Sequence, residues 1–153
     1  MAEKVASQVI FEIGQINQLL SAYADLWERA QENTPNLVEL TAIASVLHSF
    51  YNGLENIFLS IAKGLDQQVP SGAQWHRDLL EQMTQQTTDR PSVISSEVVQ
   101  KLADYLGFRH FYRHSYSFFL DWEEMENLVI ALPEVWEQTR KAPQDFLDSV
   151  QKE

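Results

Sequence analysis

The sequence predicts an all-α fold, an antiparallel bundle of four or five helices, and three observations carry that expectation. Apolar residues recur in alternating steps of four and three, the spacing of one helix face. No segment sustains the period-two alternation of a half-buried strand. No internal repeat or low-complexity tract interrupts the pattern, and residues 1–153 read as one helical domain.

Each element follows from its own residues. Val9, Ile13, Ile16, Leu20, Tyr23 and Trp27 form the apolar seam of a first long helix. That helix ends at Asn33-Thr34-Pro35, where proline punctuates the chain. Asn36 followed by Glu39 reads as a capping box opening a second helix. Its seam is Leu40, Ile43, Leu47, Phe50, Leu54, Ile57 and Ile61. At the usual rise, ~27 residues make a rod of ~40 Å, and two such rods on a short link pack antiparallel. Pro70-Ser71-Gly72 breaks the chain, and a short helix follows from Gln74 to Gln85 around Trp75, Leu79, Leu80 and Met83. The polar run from Gln85 to Pro91 is a loop. Ser95 or Ser96 caps a helix through Val98, Val99, Leu102, Tyr105 and Leu106. Asp121 and Glu124 repeat the capping-box pattern and open a last region with Trp122, Met125, Val129, Leu132 and Trp136. Pro133 lies inside it and should kink it or begin a new turn.

Composition narrows the function classes. Apolar residues make up 44% of the 153, normal for a chain with one packed core. The chain has no cysteine, which excludes disulfides and thiolate metal sites and points to the cytoplasm. Met1-Ala2-Glu3-Lys4 leads straight into the helical pattern without the basic and apolar regions of a secretory signal. No apolar run approaches the ~20 residues of a membrane span, so no membrane association is expected. A formal net charge of -11 repels nucleic acid at long range. Any RNA contact must therefore be local, or be helped by a partner or a second copy.

The segment Phe108-Arg109-His110-Phe111-Tyr112-Arg113-His114-Ser115-Tyr116 stands against that background. It concentrates cations, and two of the four histidines, in an acidic chain. Metal-free RNA cleavage needs a base for the ribose 2′-hydroxyl and a preorganised cation for the charge on the phosphoryl oxygens. Histidine suits the first task and the planar guanidinium the second. Arg109 and His114 supply one of each, with His110 and Arg113 placed to assist. Only RNA has the 2′-hydroxyl, so DNA should be inert.

Helical geometry constrains the pair. Residues five apart lie ~140° apart around an unbroken helix, so Arg109 and His114 share no face. Arg109, Arg113 and Tyr116 share one face, and His110 and His114 another. Convergence requires a helix end near Ser115–Ser117, a long reach by the arginine, or a two-fold dimer that brings two copies together. Helix end plus dimer is the favoured arrangement. The plain alternative is a solvated or interface face of mixed Arg, His and Tyr. His110 and His114 could ligate a metal, but Glu123 and Glu124 lie beyond a turn, so neither metal nor cofactor is expected. His48, next to seam residue Leu47, reads as structural, and His76, between Trp75 and Arg77, as surface or packing.

Arg109-x4-His114-x-Tyr116 resembles the R-x4-H-x-Y motif of the HepT-like toxins, small α-helical ribonucleases of the HEPN superfamily. Phe50-Tyr51-Asn52-Gly53-Leu54-Glu55 with Ile61-Ala62-Lys63 resembles the second-helix segment of that group. Trp75 to Met83 and Leu132-Pro133-Glu134-Val135-Trp136 are similar too, and the likeness spans nearly the whole chain. The resemblance implies a HEPN-like fold and an RNase toxin of a type VII toxin-antitoxin pair. Its partner would be an MntA-like minimal nucleotidyltransferase antitoxin. Arg109 and His114 map onto the cleavage residues, and Tyr116 onto the tyrosine that the antitoxin modifies with AMP. Family members are typically homodimers whose motifs face a shared cleft. The rival from another class is a non-catalytic helical subunit that docks onto a nucleotidyltransferase.

Overall fold

Six α-helices form among the residues that the computed structural model describes, 2–114, 116 and 120–151. Strands are absent from those residues, apart from a lone bridge between Thr87 and Arg90. The expected first rod is two helices, α1 (Ala2–Ala22) and α2 (Ala24–Glu32). The chain turns at Tyr23, whose backbone (φ -108°, ψ 15°) leaves the helical well. Tyr23 is accordingly an exposed residue and not part of the seam. The turn redirects α2 so that Leu26, Trp27 and Ala30 are buried, and the Trp27 indole donates to the carbonyl of Val129 at 2.8 Å.

α3 (Leu37–Ile61) is the central helix, and its start is the expected capping box. Asn36 Oδ1 accepts from the Glu39 N–H at 2.9 Å, and Glu39 Oε1 accepts from the Asn36 N–H at 3.0 Å. All seven seam residues are buried. A π-helical segment (Ala62–Asp66) prolongs α3, and Gln67 ends it with a left-handed backbone, φ 54°. α1 runs antiparallel to α3: Val5 meets Gly64 near one end and Ile16 meets Gly53 further along. Between them, Asn56 donates to Glu12 Oε1 at 3.3 Å. A methyl carbon on Gly53 would sit 2.9 Å from Ile16 Cγ1, and one on Gly64 would overlap Val5. Hydrogen in place of a side chain is what allows the two rods to approach so closely.

Beyond α3, the polar run before Pro91 is tied down by a buried arginine. Arg90 Nε and Nη2 donate to Asp66 at 2.7 and 2.8 Å, and Nη1 donates to the carbonyls of Gln85 and Pro91. Gln82, at the end of α4 (Trp75–Gln82), adds a 2.7 Å hydrogen bond to the same carboxylate.

Ser95, the first of the two expected caps, opens α5 (Ser96–Arg113) by accepting from the Val98 N–H at 3.2 Å. Val98, Leu102 and Tyr105 anchor this helix in the core. The Tyr105 hydroxyl donates to the carbonyl of Leu128 at 2.7 Å. Asp121 caps α6 (Trp122–Gln151) through the N–H of Glu123 at 3.0 Å. α6 runs through Pro133 and also through Pro143. A proline removes one ladder hydrogen bond, yet the helix continues past Pro133, where Leu132, Val135 and Trp136 are all buried. The Trp136 indole locks α6 to α1 by donating to Asn17 at 2.8 Å. No described helix is long and apolar enough to cross a membrane.

Candidate functional site around the end of α5

Three polar residues interrupt the apolar surface of α3 at helical spacing. His48, Asn52 and Glu55 lie four and three residues apart, which puts them on one side of the helix. Arg109 of α5 reaches into this row. Its Nε donates to Asn52 Oδ1 at 2.8 Å, and its Nη2 lies 3.6 Å from Glu55 Oε1. The Arg109 side chain keeps 12% exposure, so it is held rather than swinging in solvent. Glu55 is 4% exposed, and a carboxylate buried that deeply must be paired. Its other oxygen pairs with His76 Nδ1 of α4 at 2.5 Å, and the His76 ring stacks on Trp75 with centroids 3.7 Å apart.

The row continues on the other side of Asn52, whose Nδ2 lies 3.1 Å from His48 Nε2. The His48 ring packs on Tyr112, centroids 4.9 Å apart. Burial pushes the His48 imidazole below its ordinary range, and the charges of Arg109 and Arg113 push it further. Two buried atoms in and beside this row have no hydrogen-bond partner among the described residues, His48 Nδ1 and the hydroxyl of Tyr51. Burial, reinforced by the charge of Glu55, raises the Tyr51 phenol well above its usual range.

The rest of the motif faces elsewhere. α5 ends at Arg113, and His114 is its C-cap, with its N–H on the Phe111 carbonyl at 3.1 Å. The expected helix end therefore falls just before the serines; Ser115 and Ser117 lie outside the described residues. His110, Arg113 and His114 are exposed, and the rings of His110 and His114 are 4.7 Å apart. His110 and His114 line a shallow depression with Gly107, Phe111, Tyr116, Asp121 and Glu124. Tyr116 is 71% exposed. His110, His114 and Tyr116 are thus gathered on one surface, whereas Arg109 contacts α3 from another side of the same helix. Among the described residues, no three His, Asp or Glu side chains are grouped so as to hold a metal ion.

His48 and His76 were read as structural or surface residues, and the structure makes both neighbours of the Arg109 network. The available signal was the spacing of His48, Asn52 and Glu55 along an otherwise apolar helix. Nothing local could reveal Arg109 or His76 as their partners, because those contacts span 57 and 21 residues of chain.

A family model described as HepT-like protein matches residues 42–150. The match begins inside α3 and takes in α4, α5 and nearly all of α6, including every residue of the network and of the motif. It leaves α1 and α2 outside, a shorter span than the likeness read from the sequence. No curated protein and no solved structure matches the chain.

Proposed function

Because the chain belongs to the HepT-like family of the HEPN superfamily, we propose that it is a metal-independent endoribonuclease toxin acting through Arg109 and His114. The whole chain serves as one domain, working in the cytoplasm. The observation that carries this reading is the state of the two motif side chains. His114 is exposed at a helix end beside His110, and Arg109 is held by Asn52 and Glu55. An exposed imidazole can meet a ribose, and a fixed guanidinium is the preorganised cation that developing phosphoryl charge requires.

The chemistry needs no redox or metal step. His114 takes the proton of the ribose 2′-hydroxyl, and the oxygen attacks the adjacent phosphorus. Arg109 stabilises the charge on the non-bridging oxygens. The bond to the 5′-oxygen breaks, and that oxygen takes a proton from an imidazolium, either His114 or its neighbour His110. The products are a 2′,3′-cyclic phosphate and a 5′-hydroxyl. Arg113, exposed next to His114, gives the RNA backbone a second cation. Since Arg109 and His114 of one chain face apart, a homodimer supplies the pair: the arginine of one copy and the histidine of the other flank one phosphate.

Tyr116 is the acceptor through which an MntA-like nucleotidyltransferase antitoxin silences the toxin. Its phenol oxygen attacks the α-phosphorus of ATP, pyrophosphate leaves, and AMP remains on the ring. The exposure of Tyr116 supports this role. The added phosphate and nucleoside would occupy the depression beside His114 and repel RNA.

One observation favours the second reading, a non-catalytic subunit of a nucleotidyltransferase complex. Glu55 already offsets the charge of Arg109. Purified wild type and His114→Ala incubated with total RNA in excess EDTA separate the two readings. The nuclease reading predicts cuts with cyclic phosphate ends in the wild type, and none in the variant. Chelator-sensitive cleavage, or growth inhibition that survives His114→Ala, contradicts it.

A further inference from the structure

We infer that His48 and His76 are positioning residues for Arg109, each acting through one intermediary, His48 through the amide of Asn52 and His76 through the carboxylate of Glu55. The inference rests on the nuclease reading for its kinetic consequence, but the positions of the side chains can be tested without it.

Start from what each intermediary can do. An amide side chain has one accepting end and one donating end, set opposite each other. Asn52 accepts from Arg109 Nε at 2.8 Å, so its amino group must face the other way, toward His48 Nε2 at 3.1 Å. That contact is favourable only if Nε2 carries a lone pair, hence only with neutral imidazole protonated at Nδ1. Protonating His48 would set two donors against each other. The amide would then have to turn, and a turned amide presents hydrogens to the guanidinium of Arg109. Among the described residues His48 Nδ1 has no hydrogen-bond partner, so no contact there explains the placement of the ring. The useful contact of this imidazole is the one with Asn52.

Glu55 performs the matching task on the other side. Its two oxygens are divided, Oε2 to His76 at 2.5 Å and Oε1 to Arg109 at 3.6 Å. The His76 bond fixes the plane of the carboxylate, and Trp75 fixes the plane of His76 by stacking. Without His76, the carboxylate can rotate and close fully on Arg109, which would sequester the guanidinium. With it, Arg109 is oriented but not completely neutralised. Two histidines therefore bracket one arginine from opposite sides.

The charged and titratable surroundings come from three helices. Tyr51 and Glu55 approach from α3, Arg77 lies beside His76 on α4, and Arg113 and Tyr112 flank His48 from α5. Both arginines near His48 oppose its protonation, and among the described residues no carboxylate contacts its ring. The neutral form that Asn52 requires is thus the form that this environment favours.

The test follows the Nε–H of Arg109 by nitrogen-15 NMR on the full chain, with the resonance assigned by its loss in Arg109→Lys. In wild type, this hydrogen should be protected from solvent exchange near neutral pH and lose protection on acidification. His48→Ala and His76→Ala should each raise its exchange rate about tenfold and lower kcat on RNA by a similar factor, with KM little changed. His48→Gln returns an acceptor to Asn52, so it should restore both protection and kcat, and keep them at acidic pH. Unchanged exchange in both alanine variants, with wild-type circular dichroism, overturns the inference. Should the alanine variants not fold, His48→Gln decides: acid loss of protection that persists in it is equally fatal. A wild type that cuts no RNA would remove the nuclease reading, while the exchange rates would still decide whether the histidines position Arg109.

Discussion

The Arg90 side chain keeps only 1% exposure, so its charge has to be met inside the protein, and Asp66 meets it with two hydrogen bonds along one edge. Removing one partner of such a pair leaves an uncompensated buried charge. Asp66→Ala should therefore cost about 3–5 kcal/mol of stability, read from the midpoint of urea unfolding. Burial works against the Asp66 carboxylate, yet the hydrogen bonds from Arg90 and Gln82 and the Arg90 charge together hold it below its ordinary 3.8. Its contribution is complete above that value and disappears as pH falls through the lowered one. His48 has the same sign for the opposite charge type. Its folded imidazole titrates below the ordinary 6.5, so the unfolded chain takes up its proton first on acidification. Stability should thus decline as pH drops below neutrality, well before the Asp66 limb, and His48→Gln should flatten that first decline. At this scale the sequence was only partly legible. The motif residues stand in a recognisable spacing, but a lone histidine next to Leu47 carries no sign of the distant arginine it serves. The sequence marks Arg109 as a cation for phosphoryl charge, and its anchoring by Asn52 and Glu55 is visible only in the fold.

Between elements, α1 packs closely on α3 and its π-helical extension. Gly64 has Val5 where a side chain would begin, and Gly53 has Ile16. Gly64→Ala should overpack this seam and cost about 1–3 kcal/mol, with partial recovery in the double variant carrying Val5→Ala. A thermal melt of Gly64→Ala, Val5→Ala and the double variant checks both halves of the expectation. The helix faces here were legible because burial repeats with the helical period: all seven seam residues of α3 are buried, and Asn36 and Glu39 cap it as their spacing requires. The break at Tyr23 was not legible. Tyr23 continues the apolar spacing of α1, and what draws the chain aside is the bond from Trp27 to Val129, a partner 102 residues away. Pro133 argues locally for a kink or a new turn, and α6 carries on as one helix through it, with Leu132, Val135 and Trp136 buried around it. At Tyr23, long-range packing overrode local preference.

For the whole molecule, the proposed nuclease activity would require an acidic chain, net charge -11, to bring RNA to a cationic site. The cations nearest the motif, Arg109 and Arg113, lie on one helix, and one of them is partly offset by Glu55. A second copy would double the local positive charge and would answer the geometric problem as well, since Arg109 and His114 of one chain face apart. How copies pair is written in no local pattern, which is why the sequence favours a helix end plus a dimer without saying which surfaces meet. Mixing two inactive variants tests the account most directly. Arg109→Ala and His114→Ala, each silent on RNA alone, should regain cleavage when mixed and allowed to exchange subunits, because one of the two shared sites then holds both intact residues. A mixture that stays silent while wild type cuts the same RNA, with subunit exchange demonstrated, would contradict a site built from the arginine of one copy and the histidine of the other.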